Sequence, residues 1–191
     1  MTVKSTIHAY IIGIALGDGN LSNPNGRATR LRITCDIAYP NIIKQIIHSL
    51  EEAFPNNQVS TVTNKNGNCI DISVYSNTLN DIIPWAVGKG SKYTQQAHVP
   101  KWILQKKIYT ISCLRGLLQT DGSIYKDRKY TMVNFTNLTK PLIDDVYNMM
   151  TSLGYEPHVY DSKQKNGNIK YVVRLSKNVT EFIQEIKLIK A

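Results

Sequence analysis

Three features of this 191-residue sequence predict an α+β fold made of two pseudo-symmetric halves, each reading αββαββα around a four-stranded antiparallel sheet. First, two apolar stretches, Ala9 to Gly19 and Ser112 to Gly122, read as the same short helix written twice. Second, each stretch is followed by segments that alternate apolar and polar residues, the period of a half-buried strand. Third, the landmarks repeat in register: Gly13 with Gly116, Thr34 with Thr136, Pro40 with Pro141 and Asn77 with Asn178. The turn Lys65-Asn66-Gly67-Asn68 also recurs, as Lys165-Asn166-Gly167-Asn168. Repeats in register at a nearly constant offset mark a duplicated unit. The halves are expected at residues 1–88 and 101–191, with 89–100 as connector.

The two apolar stretches break local rules in the same way. Small residues stand four apart in each, Gly13 and Gly17 in one, Gly116 and Thr120 in the other. That spacing lines one helix face and lets two backbones approach closely, which justifies glycine inside a helix at a cost of about 1 kcal/mol against alanine. Asp18 and Asp121 then fall at the helix C-termini, with Gly19 and Gly122 expected as C-terminal breakers. The helix dipole disfavours a carboxylate there. Packing the two small faces together brings the carboxylates side by side, which requires a cation. A divalent-metal site with one aspartate per repeat is the expectation.

The remaining elements follow in order. Ser5 or Thr6 caps the first helix, and Asn23-Pro24-Asn25-Gly26 is a turn. Leu31, Ile33, Cys35 and Ile37 alternate with Arg30, Arg32, Thr34 and Asp36, so one strand face is apolar and the other arginine-rich. Pro40 opens a helix to about Phe54; strands over 59–63 and 69–75 follow, and Asn77 is expected to cap a helix to about Val87. In the second half, a lead helix from Pro100 precedes the Asp121 helix and a strand over 130–137. Pro141 opens a helix to about Leu153, strands near 158–163 and 169–176 follow, and Asn178 caps a closing helix.

Composition narrows the partner. Net charge is +9 and pI about 9.4, with basic residues spread along the chain, which points to a polyanion on a folded basic surface. Three cysteines without C-x-x-C spacing argue against a disulfide framework or a zinc site and fit a reducing compartment. No apolar run reaches spanning length, so no membrane partner is expected. Two sheets with basic faces flanking a carboxylate pair form a saddle suited to duplex DNA. Its major groove distinguishes all base pairs, and lysine and arginine supply phosphate affinity.

With these residues assembled, the chain resembles the single-chain LAGLIDADG homing endonucleases: Ile11 to Gly19 is similar to a first motif copy and Leu114 to Gly122 to a second. The resemblance implies a site-specific double-strand DNA endonuclease that hydrolyses one phosphodiester per strand of a long, asymmetric target. It implies Mg²⁺, with Mn²⁺ as substitute, held by Asp18 and Asp121 with the carbonyls of Gly17 and Thr120. By the same resemblance Lys89 and Lys190 stabilise developing phosphate charge, and Arg32 and Asn134 order solvent near the metals. Their difference in type implies unequal cutting of the two strands. Candidate DNA contacts are Arg27, Arg30, Arg32, Thr34, Lys65, Asn66 and Tyr75 in the first half. Those in the second are Lys126, Arg128, Lys129, Lys163, Lys165, Lys170 and Arg174. The protein is expected to work as a monomer without a protein partner, inside the cell, in cytoplasm or an organelle. Without a leading Cys or a terminal His-Asn, self-splicing as an intein is not expected. The other reading is a LAGLIDADG protein that binds without cutting, an RNA maturase or a DNA-binding regulator. Retention of both motif aspartates favours the nuclease.

Overall fold

A computed structural model of the chain describes residues 4–65, 67–164 and 167–190. The first half contains α1 (Thr6–Asp18), β1 (Gly19–Ser22), β2 (Arg30–Asp36), α2 (Pro40–Ala53), β3 (Val59–Thr63), β4 (Cys69–Tyr75) and α3 (Leu79–Ile82). The second contains α4 (Lys101–Leu104), α5 (Lys107–Thr120), β5 (Gly122–Asp127), β6 (Tyr130–Asn137), α6 (Lys140–Ser152), β7 (His158–Lys163), β8 (Ile169–Leu175) and α7 (Val179–Ile186). All strand pairs are antiparallel, in the orders β1-β2-β4-β3 and β5-β6-β8-β7. The mixed α+β architecture read from the repeat is the observed one.

Helices α1 and α5 form the centre because their small residues leave nowhere else for backbone to go. A Cβ on Gly13 would strike the Cys113 carbonyl oxygen, and one on Gly116 would lie 2.6 Å from the Tyr10 carbonyl oxygen. At the lower end, Gly17 faces Thr120, whose side chain fills the space a Cβ would need. Ser5 starts α1 by accepting a hydrogen bond from the His8 N–H at 3.2 Å. Around the pair, Ile11, Ile12, Ile14 and Leu16 from α1 join Leu114, Leu117 and Leu118 from α5 in a core continuous across both halves. One polar thread runs through it. The Tyr10 hydroxyl donates to Gln119 Oε1 at 2.6 Å, and Gln119 Nε2 donates to Gln45 Oε1 at 3.0 Å. That thread ties α1, α5 and α2 together.

Each sheet turns one face to helices and leaves the other open. Leu31 and Ile33 of β2, Ile72 and Val74 of β4, and Val133 and Phe135 of β6 are fully buried. Helix α2 covers the first sheet with Ile42, Ile46 and Leu50, and α6 the second with Leu142, Val146 and Met149. Both have proline in the first turn, where its missing N–H costs nothing.

Two local expectations change. The helix expected from Asn77 to Val87 is the single turn α3, preceded by Thr78 and ended at Ile83, which is extended as a residue before Pro84 must be. Gly19 is not a left-handed breaker: at φ −74° and ψ 146° it begins β1 directly. Glycine is needed there because a Cβ would sit 2.6 Å from the Ala15 carbonyl oxygen, and Gly122 faces Leu118 in the same way.

Candidate functional site

Asp18 and Asp121 emerge together where the helix pair meets the two sheets. Burial pushes the Asp121 carboxyl up to about 6, the Asp18 charge adds to the rise, and Lys92, Asn137 and Lys190 oppose it. Asp18 is the more exposed, and its carboxyl is also raised, first by desolvation. Asn137 Nδ2 donates to Asp121 Oδ2 at 2.9 Å, while its own Oδ1 accepts from the Thr139 N–H at 2.9 Å. The corresponding position in the first half is Cys35, so the two carboxylates are held differently. A pocket of about 410 Å³ adjoins Asp121, lined also by Lys92, Asn137 and Lys170. One of about 130 Å³ adjoins Asp18, Cys35 and Lys190.

Two ammonium groups resolve the conflict between carboxylates and helix C-termini. Lys190 Nζ donates to the carbonyls of Leu118 at 3.2 Å, Thr120 at 2.8 Å and Gly122 at 2.5 Å. Lys92 Nζ donates to the Ala15 carbonyl at 3.1 Å and to that of Gly17. Each cation therefore sits at a negative helix end beside an aspartate. Burial lowers both lysine pKa values and the two aspartates raise them back. Lys190 occupies the place expected for it. Its partner is Lys92, not Lys89, which is exposed in the turn before it. The reason is local: Gln95 clamps the connector by bonding both Ala86 and the Gly90 carbonyl, and Lys92 packs over the Trp85 ring at 5.5 Å.

The donor set fits a hard cation. Two carboxylates free of direct ion pairs, among the described residues, supply oxygen donors, while the carbonyls of Gly17 and Thr120 expected to join them accept from Lys92 and Lys190. Mg²⁺ takes one or two carboxylates and completes its shell with water and phosphate oxygens. The described residues contain no cluster of three or more His, Cys, Asp or Glu.

Strand register sorts the candidate DNA contacts. Arg30, Arg32, Thr34 and Tyr75 share the open face of the first sheet, and Asn134, Lys170 and Arg174 that of the second. Lys126 and Lys163 do not. Lys126 is in step with Ile124, which pairs with buried Val133, and Lys163 with Val159, which pairs with buried Val173. Alternation sends both to the helix side at the strand ends. Arg128 and Lys129 form the exposed β5–β6 turn, and Arg27 and Lys65 are exposed in loops. Asn66 and Lys165 lie outside the described residues. Arg32 and Asn134, expected to order solvent near the metals, make their side-chain contacts on the sheets. Arg32 faces Asp71 at 3.6 Å, and Asn134 donates to the Tyr125 hydroxyl at 3.3 Å and accepts from Arg174 Nε at 3.3 Å. The side chain reaching Asp121 is Asn137, on the opposite strand face from Asn134.

Each half of the chain matches a known family model. Residues 7–75 match the WhiA LAGLIDADG-like domain, and residues 109–187 match the LAGLIDADG-like domain. The chain belongs to the LAGLIDADG family. Among solved LAGLIDADG structures, that of I-DmoI in complex with DNA and Mn superposes with TM-score 0.70 at 20% identity, over 97% of this chain and 98% of that one. A structure of mesophilic variants of the homing endonuclease I-DmoI gives TM-score 0.67 at 21% identity, over 95% and 94%. Full-length DUF199/WhiA from Thermatoga maritima gives 0.63 at 13% identity, over all of this chain and 58% of that one. A curated relative, the tRNA-splicing ligase RtcB of Methanopyrus kandleri, is 22% identical over 201 residues, covering 93% of this chain. The chain spans only 20% of that ligase.

No pattern in the sequence marks Lys92, Asn137 or Asp71. Tyr160 was accessible, because alternation along β7 puts it on the same face as His158 and Ser162. Lys92 lies in a stretch without periodicity and carried no signal.

Proposed function

We propose that this protein is a site-specific, metal-dependent endonuclease for double-stranded DNA, acting as a monomer whose halves, 1–88 and 101–191, each address one side of an asymmetric target. The observation that carries the reading is the four-group constellation at the helix pair: Asp18 and Asp121 together, each beside a lysine that reaches the helix end. Bound Mg²⁺, or Mn²⁺ in its place, would supply an activated water and charge neutralisation at a scissile phosphate. The chain's own contribution is positional. Asp18 and Asp121 would hold the ions, and Asn137 fixes the orientation of Asp121. Lys92 and Lys190 place positive charge beside the two aspartates, where a scissile phosphate would lie. The open sheet faces and the net charge of +9 provide backbone affinity.

The test is a supercoiled plasmid bearing a target recovered by selection from randomised DNA. Linear product with Mg²⁺, none with EDTA, and none from Asp18→Asn or Asp121→Asn is the expected result. One observation favours a second reading, a LAGLIDADG protein that binds nucleic acid without cutting, as a regulator or maturase: the first half matches the WhiA domain model. Tight target binding with no cleavage in either Mg²⁺ or Mn²⁺ would establish that reading instead.

A further inference from the structure

The open sheet faces carry three arginines whose side-chain partners divide them into two kinds. Arg32 is the one that faces a carboxylate. Its NH1 faces Asp71 Oδ2 at 3.6 Å, Thr34 Oγ1 donates to the other Asp71 oxygen at 2.6 Å, and Arg32 Nε is buried without an acceptor. Arg30 and Arg174 are held from behind instead. Arg30 Nε donates to Ser22 Oγ at 3.1 Å, and its guanidinium stands over the Tyr75 ring at 6.0 Å. Arg174 stacks over the Tyr160 ring at 4.9 Å, donates from NH2 to the Tyr160 hydroxyl at 2.7 Å, and from Nε to Asn134 Oδ1 at 3.3 Å. A guanidinium has five N–H donors, so both retain terminal N–H groups that these contacts do not use. A forked donor fixed in this way matches the O6 and N7 acceptors of guanine in the major groove.

Register gives these two arginines different distances from the aspartates. Strand β1 leaves Asp18 at Gly19, paired with Ile33, and β5 leaves Asp121 at Gly122, paired with Phe135. The first open-face row outward is Asn20–Arg32–Ser73 in one sheet and Ser123–Asn134–Arg174 in the other. Arg174 stands in that first row. Arg30 stands in the second row, with Ser22 and Tyr75. Two strand residues span about 7 Å, which along the groove is about two base-pair steps at 3.4 Å each.

Building on the DNA-binding reading above, we propose that Arg30 and Arg174 each read a guanine and that Arg32 reads none. The Arg174 guanine lies about two base pairs nearer the centre of the target than the Arg30 guanine. Tyr160 and Asn134 are positioning residues for Arg174, as Ser22 and Tyr75 are for Arg30.

The test is binding selection from a randomised duplex library in EDTA, where cutting is off, followed by sequencing. Wild type should enrich two guanine positions at unequal distances from the centre. Arg174→Met should erase only the inner one, a loss of about ten- to hundredfold in discrimination. Arg30→Met should erase only the outer one, and Arg32→Met should leave both. Tyr160→Phe, which keeps the ring and loses the acceptor, should weaken the inner guanine alone. If Arg174→Met melts early, Arg174→Lys keeps the charge, loses the fork and carries the same test. Equidistant guanines, a guanine that follows Arg32, or no guanine that follows Arg30 or Arg174 would overturn the proposal. No DNA binding at all would overturn the proposed function with it. Guanines read as stated, without cleavage in Mg²⁺, would overturn only the cutting activity.

Discussion

Asp121 is costly to fold. Its carboxyl moves from an ordinary 3.8 to about 6, chiefly by desolvation and then by the charge of Asp18. Between those two values the folded chain holds the proton and the unfolded chain does not, so this group makes stability fall as pH rises from 3.8 to about 6 and stay level above. Asp121→Asn is therefore expected to stabilise the protein at pH 7 by about 1–2 kcal/mol after discounting for partial exposure. That is a gain of roughly 2–6 °C in melting temperature, and it should vanish when melting is repeated below pH 4. An unchanged or lower melting temperature at pH 7 would contradict the electrostatic account. A metal held by Asp121 would displace the same proton, so Mn²⁺ affinity measured by calorimetry should fall as pH drops through about 6. At this scale the sequence was informative where a rule was broken twice. Asp18 and Asp121 stood out because helix ends reject carboxylates, whereas Asn137 breaks no rule and its contact with Asp121 forms only across the fold.

The helix pair depends on absent atoms. Any side chain at Gly13 meets the Cys113 carbonyl, and backbone cannot yield as a side-chain tip can. Gly13→Ala should cost about 3 kcal/mol or more in denaturant unfolding, at the upper end for overpacking. Gly17 differs, because its obstacle is the Thr120 side chain. Gly17→Ala should be rescued in part by Thr120→Gly, with a coupling of about 1–3 kcal/mol in a double-mutant cycle. Additive losses would show that the helices separate rather than collide. Elements with strong periodicity or a proline start, such as α2 and β2, were legible from sequence nearly to the residue. The connector was not. Lys92 reaches Gly17 because Gln95 and Trp85 shape an aperiodic loop, and three-dimensional bonding of that kind leaves no pattern in a line of letters. Lys126 and Lys163 differ for the opposite reason: charge suggests the open face, and alternation in the actual register sends them to the other.

Across the whole molecule the halves share a plan and differ in detail. Asp121 has Asn137, Asp18 has Cys35 at the matching place, and the neighbouring pockets measure about 410 and 130 Å³. Unequal sites should cut two strands at unequal rates, so a time course on supercoiled target should build up nicked circle before linear DNA. Linear product rising with no nicked species would contradict this. Affinity should fall steeply with salt, because backbone neutralisation releases counterions, and each lysine removed from the DNA face should flatten the log–log slope by about one. The two surfaces of each sheet answer to separate demands. Leu31, Ile33, Val133 and Phe135 are fixed by packing against helices, while their alternate neighbours Arg30, Arg32 and Asn134 face outward. Substitutions at the outward positions should therefore change what the sheets bind more than they change packing against the helices. Inheritance of the fold and choice of address are written on alternate letters of the same strands.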